Sequence, residues 1–227
     1  MTDLYHIDLE QFSLERFRHM LEAKDVLPGR RVLKEKMPER FAVLASMGIG
    51  NLKELREALK TKARREKFAQ ESGLPIEYLV ILGREVNSYI SKPFNLKDIP
   101  EVNPDYIEKL ASVGIKHTKH LFERARSKSD RTKLSQLVGV PGDALLELVK
   151  LSDLARIVGV GPVFARLLYE LGADTPEAFL KRTPDELIEA LHAVNDEKGY
   201  TRIMPTVKDI EYCFETARYL PRAVEYS

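Results

Sequence analysis

With 227 residues, 44% of them hydrophobic, and a single cysteine, the chain is long enough to bury a sizeable core and cannot close an internal disulfide. Its 36 Lys and Arg against 35 Asp and Glu leave a formal net charge of +1, which argues against coating nucleic acid by bulk charge but leaves room for a local basic face. No apolar run is long enough to cross a bilayer, so no membrane role is expected, and Met1-Thr2-Asp3-Leu4-Tyr5-His6 is unlike a secretory leader, so the expected address is cytoplasmic.

From Met1 to Arg31 the pattern predicts a short extended lead, then a helix opened by Ser13 with Leu14, Phe17 and Leu21 on one face. Ser13 suits an N-cap, Arg16 stands where a capping box needs a carboxylate, and Leu27-Pro28-Gly29 is expected to stop the helix. Beyond it the sequence repeats itself. Aligning Pro38, Pro104 and Pro162 brings Phe41, Ile107 and Ala165 into register, then Leu44, Leu110 and Leu168, then Met47, Val113 and Leu171, then Gly48, Gly114 and Gly172. Ile49, Ile115 and Ala173 follow, and further on Leu55, Leu121 and Phe179. Each copy predicts a proline-started helix with one apolar stripe, a glycine stop and a second helix folded back on the first.

A second block alternates with this one, because Lys67–Pro75 aligns with Lys133–Pro141, each a short helix ended by a glycine and followed by a hydrophobic-proline pair. The unit is about 60 residues long, present twice with a partial third copy. That third copy ends with Thr183-Pro184-Asp185-Glu186, a capping box opening a helix with Leu187, Ile188 and Leu191. Asn195 through Met204 reads as a polar connection, and Thr206 caps a last helix carrying Val207, Ile210, Phe214 and Ala217. Tyr78–Leu82 has strand-like composition but reads as buried helix, since strand patterns are nearly absent. The expected fold is all-α, built of tandem helical-hairpin units in one compact or gently curved body, with segments at 1–34, 35–92, 93–150 and 151–227.

The segment Leu154–Leu168 predicts a helix end, a Gly159-Val160-Gly161 turn, and a helix opened by Pro162 that carries Phe164, Leu167, Leu168 and Leu171 on one stripe. Unpaired N–H groups at a helix start form an anion site, and glycines let a phosphate approach the backbone. This stretch resembles a helix-hairpin-helix element, which implies that the turn's N–H groups meet a nucleic-acid phosphate and that its carbonyls sometimes hold a monovalent cation. The corresponding residues of the other copies are Glu35-Lys36-Met37 and Glu101-Val102-Asn103, where a carboxylate would repel phosphate, so those hairpins read as structural. The whole arrangement, with Asp8-Leu9-Glu10, Gly73-Leu74-Pro75 and Leu151–Arg156, resembles a prokaryotic family defined as domain of unknown function 4332 and grouped with helix-hairpin-helix proteins. That resemblance implies a fold and supplies no activity.

The candidate nucleic-acid contacts are therefore Arg156, Val158, Gly159, Val160, Gly161 and Arg166 at the turn, and Lys119, Arg124, Arg126, Lys128 and Arg131 within the basic stretch Lys116–Lys133. A matching stretch, Lys53–Lys67, holds Arg56, Lys60, Lys62, Arg64 and Arg65. Cations on phosphates give salt-dependent binding without sequence selectivity, and Gly159→Glu is expected to weaken that binding without unfolding the chain. The alternative is that the basic residues are solvated surface and the hairpins architecture for a protein-interaction scaffold or self-association. No enzyme is expected, since no Walker loop or nucleophile elbow appears and Asp185, Glu186 and Glu189 suit helix capping. His117 and His120 sit three apart without a third ligand, so no metal is expected. Cys213, within an apolar stripe, reads as a buried small side chain.

Overall fold

Most helices here start where a proline or a short polar side chain stands, as capping requires. A computed structural model describes residues 3–26 and 28–226; Leu27, part of the expected stop of the first helix, lies outside the described residues. Among those residues the chain is helical, with two isolated β-bridges and no strand. The α-helices are α1 (Leu14–Ala23), α2 (Met37–Ser46), α3 (Leu52–Leu59), α4 (Lys62–Ser72), α5 (Ile76–Asn87), α6 (Pro104–Ser112), α7 (Thr118–Arg124), α8 (Lys128–Val138), α9 (Gly142–Leu154), α10 (Pro162–Glu170), α11 (Pro176–Leu180), α12 (Pro184–Lys198) and α13 (Val207–Ala217).

The contacts divide the chain into two compact units: Asp8–Ile90 is one, and the residues from Ser91 onward together with the N-terminal segment through Ile7 are the other. In Asp8–Ile90, Ser13 Oγ accepts the Arg16 N–H at 3.1 Å, and α1 stops at Ala23, short of the expected stop, with a 3-10 helix over Pro28–Leu33. The core stacks aromatic rings edge to face, with Tyr89 5.4 Å from both Phe12 and Phe17, and each fully buried Leu or Phe adds about 1.5–3 kcal/mol. Tyr78, Leu79 and Leu82 are buried in α5. One turn further on that helix, the buried Glu85 carboxylate accepts from Lys24 Nζ at 2.7 Å and Arg30 at 2.5 Å. A carboxylate taken out of water needs such partners.

The second unit has a continuous apolar core from Leu96 to Ala217, in which Phe179 and Phe214 meet at 4.5 Å. Two expectations shift here. Helix α9 runs straight through the expected boundary at 150/151, and α12 extends to Lys198, so Asn195 is helical. Its amide accepts the Thr201 N–H and donates to the Thr201 carbonyl, both at 3.0 Å, which ties down the polar connection that follows. The capping boxes at Thr183/Glu186 and Thr206/Asp209 are both formed.

One turn is built three times. Gly48, Gly114 and Gly172 adopt φ of +83°, +84° and +80°, and the next residue closes the same bond back to the preceding helix: Ile49 to Leu44 O at 3.1 Å, Ile115 to Leu110 O at 3.0 Å, Ala173 to Leu168 O at 2.9 Å. A glycine stop of this kind satisfies carbonyls the helix end leaves open. The next helix is capped each time, by Asn51, His117 and Thr175. Equivalent arginines, Arg65 and Arg131, reach back to the carbonyls of Leu59 and Ala125 at 2.8 and 3.3 Å. Replacing one cap isolates its share: Asn51→Ala should lower the unfolding free energy by about 1 kcal/mol in urea titration while Asn51→Asp stays near wild type. Equal stability of Asn51→Ala and wild type would contradict this role.

Candidate nucleic-acid interface

The chain leaves α9 through tightening bonds, Arg156 N to Asp153 O at 3.1 Å and Ile157 N to Leu154 O at 3.0 Å, before Val160 N closes on Ile157 O at 3.1 Å. Gly159 is exposed with φ +97°, and a Cβ there would lie 3.0 Å from Cys213 Sγ. Burial pushes that thiol up to about 12, so it is an inert packing group beneath the turn. Gly161 is the N-cap of α10 with no capping side chain, and a Cβ there would meet nothing within 4 Å. Pro162 follows at the first helical position.

Three expectations at the turn are corrected by this geometry. The Val160 N–H is committed to Ile157 O, and the side chains of Val158 and Val160 point inward, 4% and 6% exposed. What the turn offers outward is the backbone at Gly159, Gly161 and the first residues of α10. Gly159→Glu would place a side chain on a left-handed backbone and against Cys213, so it would strain the fold as well as add charge. Two turn carbonyls, Ile157 and Gly161, are taken by the amides of Val160 and Ala165.

Arg156 and Arg166 are internal, which removes them as surface phosphate ligands. Arg156 is 1% exposed: its Nε donates to Tyr5 O at 3.3 Å, one terminal nitrogen donates to Pro221 O at 2.6 Å, and the other pairs with Asp153. Its guanidinium lies 4.7 Å from the Phe122 ring centroid. Tyr226 Oη donates to the second Asp153 oxygen. Burial pushes the Asp153 carboxyl upward, and Arg156 and Tyr226 pull against it. Arg166 is 3% exposed, donating to Pro100 O at 2.9 Å and Glu147 at 2.8 Å, with Glu170 at 3.3 Å.

The basic stretches differ. In Asp8–Ile90 the cations have local partners: Lys53 with Glu10 at 2.7 Å, Lys60 and Arg64 with Glu57 at 3.2 and 2.9 Å, Lys62 with Glu66 and Lys67 with Glu71, both at 3.7 Å. Around α7 and α8, Lys119 pairs with Asp3 at 3.0 Å and Arg131 is buried against main-chain carbonyls, so neither is free for a ligand. Lys116, Arg124, Arg126, Lys128 and Lys133 have no ion pair among the described residues. Two carboxylates share this corner, Asp130 on Ser127 Oγ at 2.6 Å and Glu225 on the Lys128 N–H at 3.3 Å, and with Ser127 the nearby Lys133 and Arg126 hold the Asp130 carboxyl below its ordinary value. Arg126 lies 5.7 Å from the Phe122 centroid, so one ring joins this cationic corner to the residue that leads into the turn.

Sequence reasoning missed Tyr5, Asp153, Pro221 and Tyr226 around Arg156: Tyr5, Pro221 and Tyr226 lie 65 to 151 residues from the groups they bond, while the Asp153–Arg156 pair, three residues apart, was within reach of a local pattern. No group of three or more His, Cys, Asp or Glu suited to a metal is present among the described residues, and no helix is long and apolar enough to cross a membrane. Residues 100–220, from just before α6 to just after α13, match the model of a family described as a domain of unknown function (DUF4332). No curated protein and no solved structure matches the chain.

Two variants separate packing from ligand roles. Arg156→Met leaves a buried carboxylate and two carbonyls unsatisfied and should cost about 3–5 kcal/mol in urea unfolding, whereas stability close to wild type would contradict the internal role. Gly159→Ala should cost about 1–3 kcal/mol through the backbone angle and the Cys213 contact, with Gly161→Ala nearly neutral; the reverse order would contradict the described turn.

Proposed function

The chain belongs to the DUF4332 family, and from that premise we propose that it is a non-enzymatic, sequence-nonspecific nucleic-acid-binding protein built on degenerate helix-hairpin-helix units. The observation that carries this reading is the set of cations at the α7–α8 corner, Arg124, Arg126 and Lys128 flanked by Lys116 and Lys133, that form no ion pair among the described residues, while Lys60, Lys62 and Lys67, which align with Arg126, Lys128 and Lys133, pair with Glu57, Glu66 and Glu71. In a chain of net charge +1, five cations close together against the two carboxylates Asp130 and Glu225 leave a local positive excess suited to phosphates. The open backbone at Gly159 and Gly161 adds donors of the kind that contact phosphate oxygens. Neither feature addresses base edges, so sequence selectivity is absent from this reading.

A second reading, a protein-interaction module, is favoured by one feature. Ile203 is 85% exposed at a cavity of about 220 Å³ lined by Pro162, Val163, Phe164, Leu167 and Pro205. Exposed apolar surface of this kind marks contact sites when it is extensive.

Anisotropy of a short labelled duplex separates the two. Binding at low salt should weaken with a log–log slope of about −3 if three cations engage phosphates. Arg124→Glu with Lys128→Glu should lower affinity about 10-fold or more. Gly161→Asp should lower it as well while keeping or raising stability, since aspartate is a favoured N-cap. Ile203→Ser should leave it unchanged. Salt-insensitive binding, or equal affinity of wild type and the charge-reversed variant, would overturn the nucleic-acid reading.

A further inference from the structure

Three corresponding helices are capped by different side chains: Asn51 opens α3, His117 opens α7 and Thr175 opens α11. The amide and hydroxyl oxygens of Asn51 and Thr175 do not titrate near neutral pH. His117 does the same work with an imidazole nitrogen, its Nδ1 accepting the His120 N–H at 3.2 Å. The His120 ring lies flat against it, centroids 3.4 Å apart and planes inclined by 27°, and His120 Nδ1 accepts the Lys116 N–H at 3.5 Å. Both rings therefore present a bare Nδ1 to a backbone amide and carry their hydrogens on Nε2.

We propose that His117, with the His120 ring stacked on it, forms an acid-labile cap, a pH-sensitive element that releases the start of α7 when the His117 ring takes up a proton at Nδ1. A protonated Nδ1 is a donor facing another donor, so the capping bond is lost. A positive charge at a helix start opposes the helix dipole, and two stacked cations repel at this distance. The released residues matter to the unit: Thr118 is fully buried and shares a 2.7 Å hydrogen bond with Tyr5 Oη, and Phe122 packs edge-on against the Tyr5 ring. The device stands independently of nucleic-acid binding.

The charged surroundings oppose each other. On α7, Glu123 favours the protonated ring and Lys119 disfavours it, the latter held by Asp3. Lys116 precedes the pair. Opposite His117, Asn95 forms an isolated bridge and its amide holds Asp98 at 3.0 Å. On the α9 side, where Arg156 covers Phe122, Asp153 is neutralised by Arg156. Helix α8 joins beyond Arg124, at the far end of α7. Burial, and then the neighbouring His120, hold His117 below the ordinary value of 6.5. The unfolded chain therefore binds the proton first, so the cap's contribution is complete above that value and is lost as pH falls through the lower value of the folded state.

His117→Asn installs the residue that caps α3 and removes the titration. Thermal unfolding at about pH 7.5 and about pH 5 should lower the wild-type Tm by about 2–4 °C more than that of His117→Asn, with the two alike at the higher pH. A parallel fall in both proteins, or a larger fall in the variant, would overturn the proposal. The NMR titration of wild-type His117 Cε1–H decides the matter even if the variant folds poorly. A midpoint below 6.5, shared by the α7 amide shifts, is expected, and a midpoint at or above that value overturns it.

Discussion

The unit that contains the family match depends on one buried guanidinium. Arg156 is taken wholly out of water, which costs several kcal/mol unless every donor is used. It is held by Asp153 from the last turn of α9, by the Tyr5 carbonyl near the N-terminus, by the Pro221 carbonyl beyond α13, and by the face of Phe122 on α7. Tyr226 completes the Asp153 carboxylate. Four stretches far apart in sequence thus meet at one side chain, just before the glycine turn. An arginine so placed fixes the direction in which the chain enters that turn, and it does so from inside.

This assignment moves the functional argument. A basic residue next to a glycine turn invites a phosphate role, yet Arg156 and Arg166 are structural, and Lys119 and Arg131 are engaged by Asp3 and by main-chain carbonyls. What remains is the corner between α7 and α8, where Arg124, Arg126, Lys128 and Lys133 form no ion pair among the described residues although Asp130 and Glu225 lie close by. The contrast with Asp8–Ile90 is informative because the two stretches share caps, stops and an inward arginine. The framework is the same in both, and the charge compensation differs. A surface ion pair adds little stability, so its absence at the α7–α8 corner costs the fold little and changes what the surface can bind.

Much of the fold was legible because it rests on local chemistry. Prolines, short polar caps and stop glycines act within a few residues, and Gly48, Gly114 and Gly172 build the same turn that their alignment predicted. Tyr78–Leu82 was readable as helix from the absence of strand signals elsewhere. The division into two units was not legible, since the break near Ile90 lies in no glycine-rich or charged linker and the expected break at 150/151 falls inside α9. Asn195 opens a stretch whose polarity reads as a connection, yet it lies in α12 and its side chain caps the loop that follows. At the candidate site, the backbone need for glycine was readable, while the fate of each charge was not: partner choice is three-dimensional, and a window of sequence does not contain it.

The most direct measurement of the central claim is backbone NMR mapping with a short duplex added at low salt. The account predicts shifts clustered on Arg124–Lys133 and on the open turn at Gly159–Val163, fading together as salt is raised. Shifts confined to Thr201–Pro205 and Leu167, with none at the α7–α8 corner, would contradict it.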